Sequence, residues 1–167
     1  RGAVPMGRVI ADALGADLDV VLVRKIGAPG HPELAIGAID EQAHRHVDRS
    51  AAAWVGADDD YLEQESRRQL ALIRDRRVRY GHERPMVPIA GRVVIVVDDG
   101  LATGQTMQAA LRAVRAASPA RLVCAIPVAA AESLAAIRPL ADEVVVLAMP
   151  EPFRAVGWHY RNFDPVD

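Results

Sequence analysis

Val93-Val94-Ile95-Val96-Val97-Asp98-Asp99-Gly100-Leu101-Ala102-Thr103-Gly104-Gln105-Thr106-Met107 is the stretch on which the reading of the fold turns. Five consecutive β-branched residues read as a strand buried on both faces, as central strands of parallel sheets are. Two carboxylates follow where that strand would end. A short turn with two glycines and two threonines then runs into a helical pattern. Met107, Ala110, Leu111 and Val114 fall at helical spacing and form one apolar stripe.

The turn's residue types point to an anionic ligand. A helix N-terminus offers unpaired backbone N–H groups and a partial positive charge, which suits phosphate. Gly104 lets the backbone approach an anion closely, and Thr103 and Thr106 could add hydroxyl donors. Asp98 and Asp99 are ill suited to bind that phosphate directly. They are better placed to accept hydrogen bonds from sugar hydroxyls, or to hold a divalent metal through water. The implied ligand is a phosphorylated sugar, with Mg²⁺ as cofactor. The alternative is a generic strand–turn–helix connection with capping residues. A Walker A loop is excluded, because no Gly-Lys-Ser/Thr occurs.

A hydrophobic strand, two acids and a Thr-Gly-x-Thr loop together resemble the phosphoribosyl pyrophosphate (PRPP) binding motif of type I phosphoribosyltransferases. The resemblance implies an α/β fold with a doubly wound parallel sheet and a flexible flap or hood insertion. It implies that Asp98 and Asp99 hold the ribose hydroxyls and, through water, the metal. Gly100, Leu101, Ala102, Thr103, Gly104, Gln105 and Thr106 would complete the site for ribose and 5′-phosphate. In 6-oxopurine enzymes of the family an acid at the position of Ala102 serves as base toward the purine. Alanine cannot, and the Leu-Ala-Thr-Gly run is closer to adenine-type members. Gly100 stands where a bulky residue is frequent.

The bulk properties set wide limits. A chain of 167 residues suits one domain with a sizeable core, spanning 1–167. Apolar residues make up 51% but aromatics only 4%, so the core is built of Val, Ala, Leu and Ile. A net charge of −2 gives no electrostatic case for nucleic acid or an anionic membrane. No apolar run approaches the ~20 residues of a membrane span, and no signal peptide is visible. The one cysteine, Cys124, sits in an apolar strand pattern and excludes an internal disulfide. The expectation is a cytoplasmic protein with small-molecule substrates.

Upstream, Arg1-Gly2 directly precedes a helix whose apolar face includes Val9, Ile10, Ala13 and Leu14. Such a pair suits a tight, anion-facing turn, and a similar Arg-Gly loop meets pyrophosphate in the resembling family. On that reading the strand before Arg1 is missing from the sequence; an ordinary frayed terminus is the alternative. Residues 18–23 read as a second buried strand, ended by Arg24 and Lys25, where open α/β sheets bind ligands. Arg24-Lys25-Ile26-Gly27 resembles the Arg-Lys-x-Gly segment of adenine phosphoribosyltransferase-like members, which implies pyrophosphate contacts and a catalytic role for both cations. A solvated strand end is the bland reading.

Residues 27–57, rich in Gly, Pro, Ala and His, are the candidate flap, with a strand-like piece at 34–39. His44 and His46 form a His-x-His pair, but the usual ligand company is absent, and surface histidines are the better reading. Residues 58–80 read as a helix whose acids at the start and arginines near the end complement its dipole. Its apolar side is Leu62, Leu70 and Ile73. Residues 81–92, with two prolines, form a loop.

Downstream, strand 121–128, helix 132–138 and strand 143–149 alternate as a parallel sheet requires. The loop after 149 gathers more than half of the chain's Phe, Trp and Tyr residues when Phe163 is included. It leaves the carboxyl end of a strand, so it faces the ligand crevice, and aromatic faces there could stack a flat base. The resemblance implies Phe153 for the base and Arg154 for pyrophosphate. Trp158, Tyr160 and Phe163 could equally seal the sheet edge. Together these readings describe a Mg²⁺-dependent transfer of phosphoribose from PRPP to a nitrogenous base, releasing pyrophosphate, of the nucleotide-salvage kind. No residue stands out as an essential general base. The alternatives are a non-catalytic PRPP or nucleotide sensor, and an accessory domain of a longer chain. Dimerisation comes with the family and not with these residues.

Overall fold

The computed structural model describes residues 2–79 and 87–164. Arg1, Tyr80 and the first half of the 81–92 loop lie outside the described residues. The chain divides into two compact units, residues 1–20 with 86–167, and residues 21–85.

In the first unit helix α1 (Ala3–Leu14) precedes a strand–helix alternation: β4 (Val93–Val97), α4 (Gln105–Ala116), β5 (Arg121–Val128), α5 (Ala131–Ile137) and β6 (Glu143–Ala148). The strands are parallel, in the order β4-β5-β6. The α/β class with a parallel sheet is therefore what the chain adopts. Helix α4 buries Met107, Ala110, Leu111 and Val114 as their spacing predicts. The helix expected at 132–138 is α5, carried on by a 3-10 turn at Arg138–Leu140.

Two expectations are corrected here. The Val-rich run at 93–97 forms a strand, but among the described residues it is not the middle one of its sheet. β5 holds that place, with Leu122, Val123, Cys124, Ile126 and Val128 buried. Among the described residues β4 pairs with β5 alone, so only Val96 is buried and Val93 is 64% exposed. A run of β-branched residues reads the same in either position. The second correction concerns α1. Val9 and Leu14, expected on its packed face, are 69% and 62% exposed. The buried positions are Gly7 and Ala11, one turn apart, so the helix packs through a small-residue face.

The second unit holds an antiparallel sheet in the order β1-β2-β3, made of β1 (Val23–Ala28), β2 (His31–Asp40) and β3 (Arg45–Val47), with α2 (Arg49–Trp54) and α3 (Asp59–Arg79). The parallel strand expected over 18–23 is absent. Strand structure starts at Val23, because Pro29-Gly30 reverses the chain and sets Val23 opposite Asp40 and Ala28 opposite His31. Gly30, at φ 72°, takes the left-handed conformation such a turn requires. Arg24 and Lys25 consequently lie inside an antiparallel strand rather than at the end of a parallel one. The piece expected at 34–39 falls within β2. At the β2–β3 turn the buried Asp40 carboxylate accepts the His44 backbone N–H at 2.8 Å and lies 2.9 Å from His44 Nδ1. On α3, Leu62 and Ile73 are buried and Leu70 half-buried, but Glu65, Ser66 and Gln69 are buried beside them. Among the described residues no helix is long and apolar enough to cross a membrane.

Candidate functional site

The carboxyl end of β4 delivers Asp98 and Asp99. The Asp98 backbone N–H still reaches the Ala125 carbonyl of β5 at 3.4 Å, and there the chain leaves the sheet. The Asp98 carboxylate turns back to accept the Asp99 N–H at 2.9 Å. Asp98 is half-buried, and burial pushes its carboxyl above the ordinary range. The Asp99 N–H opposes that shift and the Asp99 charge adds to it. Asp99 faces α1: a Cβ on Gly2 would overlap the Asp99 Oδ2, so a larger residue there would have to displace the carboxylate. A carboxylate against a helix N-terminus is electrostatically favoured.

The loop after the acids is held along its length. Leu101, fully buried, donates its N–H to Val128 at 2.9 Å, and its carbonyl accepts Ala130 N–H at 3.0 Å, extending the β5 edge past the strand. Ser133 of α5 donates its hydroxyl to the Ala102 carbonyl at 2.5 Å. Gly104 caps α4 at φ 70°, ψ 0°, a conformation a side chain would strain. Ala102, Thr103, Gln105 and Thr106 are exposed, and no side chain caps the α4 N-terminus among the described residues. The result is a pre-formed, open seat of backbone N–H groups beside two carboxylates.

The segment after β6 closes onto the same turn. The Tyr160 hydroxyl donates to the Asp99 carbonyl at 2.5 Å, and Val156 lies over Gly100. Burial raises the Tyr160 phenol above its ordinary value, and the charges of Asp99 and Asp98 add to the rise. Phe153 is half-buried with its ring 5.4 Å from His159, and Arg154 stacks over the exposed Trp158 at 5.1 Å.

The structure thus brings Gly2, Asp98, Asp99 and residues 100–106 together in the first unit, with Phe153 and Arg154 on the segment after β6. Arg24 and Lys25 belong to the second unit. There Arg24 Nε donates to Gln69 at 2.5 Å, and Gln69 donates to Glu65 at 2.7 Å. Burial holds the Arg24 guanidinium below its ordinary value, and Arg76 and Arg68 add to that. Lys25 is paired with Glu33 at 2.5 Å. Ser133, Val156, Gln69 and the Asp99 contact of Tyr160 join the site only through the fold, since no local motif marks their partners. Ser133 did carry a signal, being a lone hydroxyl in an alanine-rich run just inside a helix start.

A divalent metal finds two adjacent carboxylates here. Among the described residues no group of three or more His, Cys, Asp or Glu side chains could form a protein cage. That donor set fits Mg²⁺, which keeps waters and commonly takes one or two carboxylates together with substrate phosphates.

Comparison with known proteins agrees with this geometry. A protein of Mycobacterium tuberculosis strain H37Rv, named "Putative phosphoribosyl transferase Rv0571c", is 40% identical over 163 residues. Its counterpart MT0597 in strain CDC 1551 matches equally. The alignment takes in 98% of this chain and 37% of each relative, so the chain spans little more than a third of their length. The crystal structure of TT1426 from Thermus thermophilus is 46% identical and superposes with a TM-score of 0.82, covering 95% of this chain and 74% of TT1426. The family model for the phosphoribosyl transferase domain matches residues 1–160, and the chain belongs to that family.

Proposed function

We infer that this chain transfers phosphoribose from PRPP to a nitrogenous base and releases pyrophosphate, in the manner of nucleotide salvage. The observation that carries the reading is the pairing of Asp98 and Asp99 with the uncapped N-terminus of α4, joined by a loop whose backbone is already fixed. In the transfer the bond from the ribose anomeric carbon to pyrophosphate oxygen breaks, and a bond from that carbon to a ring nitrogen of the base forms. The proton on that nitrogen is lost to the departing pyrophosphate or to water. Positive charge develops on the ribose ring, and two carboxylates accepting its hydroxyls stabilise that charge. The exposed Thr103 and Thr106 and the α4 N-terminus take the 5′-phosphate. Mg²⁺ when bound would neutralise the leaving pyrophosphate, and Asp98 and Asp99 would hold it through water.

Arg24 and Lys25 are the cations assigned to pyrophosphate, with Arg1 and Arg154, and Phe153 is assigned to stack the base. Residues 27–57 are assigned as a flap that excludes water. Ala102 leaves no acid for a 6-oxopurine, which favours an adenine-type acceptor. A cytoplasmic setting accords with this chemistry.

The test is pyrophosphate release from PRPP and Mg²⁺ across adenine, 6-oxopurines, uracil and orotate, with Asp98→Asn/Asp99→Asn as control. Release with one base and none in the control supports the transferase. PRPP bound without turnover across the panel moves the reading to a PRPP sensor. No PRPP binding overturns both.

A further inference from the structure

Gly100 departs from the bulky residue frequent at its position, and the structure supplies a reason. A Cβ there would stand 2.7 and 2.9 Å from the two Val156 methyl groups and 3.1 Å from the Val128 carbonyl oxygen. The space a larger residue would fill is occupied by a side chain from the far end of the chain. Val156 opens a 3-10 turn, Val156–His159, closed by Trp158 N–H to Ala155 at 3.2 Å. Tyr160 follows at once, with its hydroxyl on the Asp99 carbonyl and Met6 Sδ 3.9 Å away. Behind it the Phe163 ring packs 5.1 Å from Tyr160, at a place where Gly157 leaves room for it. A methyl pair on Gly100 and a hydroxyl on Asp99 therefore grip two consecutive residues of the acidic turn.

We propose that residues 155–160 are the positioning device of the acidic turn, with Tyr160 its anchor and Val156 its wedge, so that the Asp98 and Asp99 carboxylates are aimed before the sugar arrives. This rests on reading those carboxylates as the acceptors for the ribose hydroxyls. An unsupported two-residue turn at a strand end samples many orientations, and each would have to be given up on binding. The grip removes that cost in advance. Tyr160 reaches the Asp99 main chain and no reacting atom, so it is a positioning residue and not a catalytic one.

Three variants, Tyr160→Phe, Gly100→Ala and Gly100→Ala/Val156→Ala, test this in a Trp54→Phe background, where Trp158 is the only tryptophan. Two readouts apply: hydrogen exchange of the Asp99 and Gly100 backbone amides by NMR, and PRPP affinity by calorimetry. Tyr160→Phe should speed exchange at those amides roughly tenfold as the turn loosens and water enters. It should also shift Trp158 emission and weaken PRPP binding roughly three- to tenfold, the scale of one lost hydrogen bond. Gly100→Ala should do the same, and Val156→Ala should restore most of the loss by removing both colliding methyl groups. Unchanged amide exchange and PRPP affinity in Tyr160→Phe would overturn the proposal. So would a double variant no better than Gly100→Ala. Failure of the parent protein to bind PRPP sinks the proposed function alone, and amide exchange in the variants still decides whether the segment sets the turn.

Discussion

Ser133→Ala separates a loop that is held from one that is merely near. Ser133 is 7% exposed and its hydroxyl donates to the Ala102 carbonyl at 2.5 Å, a bond that ties α5 to the loop before α4. The Ala102 residue itself is exposed, so water can take over at its carbonyl. The loss of stability should accordingly sit in the ordinary range for one hydrogen bond, about 1 kcal/mol. For a chain of this length that is a fall in Tm of roughly 2–4 °C. The effect on binding is larger. Leu101 stays pinned by its two backbone bonds to 128 and 130, and Gly104 stays fixed by the first turn of α4. The freed piece is Ala102 and Thr103. Ordering a residue costs about 1–2 kcal/mol, and with both flanks fixed one residue's worth is the expectation, a roughly five- to thirtyfold weaker PRPP affinity. Thermal unfolding by circular dichroism and PRPP titration calorimetry read the two numbers. A Tm that falls as expected beside an unchanged PRPP affinity would refute the claim that Ser133 orders the loop for phosphate.

Gln69→Leu should destabilise the second unit by about 2–4 kcal/mol in urea unfolding. It strands the half-buried Arg24 Nε and takes one donor from the Glu65 carboxylate, which is bound bidentately by Arg68. An unchanged urea midpoint would show that the network is not structural. Asp98→Asn should raise Tm at pH 7 while abolishing PRPP binding. Burial lifts the Asp98 carboxyl above its ordinary range, so the folded state prefers it protonated and carries a cost once it ionises. The advantage of the variant should therefore shrink as pH falls through the raised pKa toward the ordinary carboxylate range. A variant less stable than the parent at pH 7 would reverse the sign and the argument. Cys124, fully buried and pushed up to about 11 by burial and by Asp98, should resist iodoacetamide at pH 8 until the protein unfolds. Alkylation of the folded protein at the rate of a free thiol would contradict that burial.

The site was more legible in the sequence than the placement of its strands, and the reason is range. The strand, the acids, the glycine at φ 70° and the stripe of α4 are all local, so residue type and spacing suffice to read them. The tethers are not local. Tyr160 lies 61 residues from Asp99 and Ser133 lies 31 from Ala102, and no periodicity links either pair. The same limit explains the misplaced strands. Whether 93–97 sits at the centre or the side of a sheet depends on which chains pair with it, and five β-branched residues say nothing of that.

Arg24 and Lys25 show how a chemical reading can be built on a structural one that the fold does not keep. Two cations after an apolar run read as the end of a parallel strand when the run is taken without the turn that follows it. Pro29-Gly30 was the stronger signal, since a tight turn fixes register as well as direction. Once β1 folds back on β2, Lys25 is exposed while Ile26, Gly27 and Ala28 after it are all buried. Lys25 then meets Glu33 across the hairpin, and Arg24 meets Gln69 of α3. Any anion these side chains take must compete with partners already in place. Glu33 is the weaker of the two competitors, because it is exposed and its pair with Lys25 is open to screening. Glu33→Gln should therefore tighten pyrophosphate binding if Lys25 serves that anion. Pyrophosphate affinity unmoved by the change would remove Lys25 from the assignment and leave Arg24 to be judged alone.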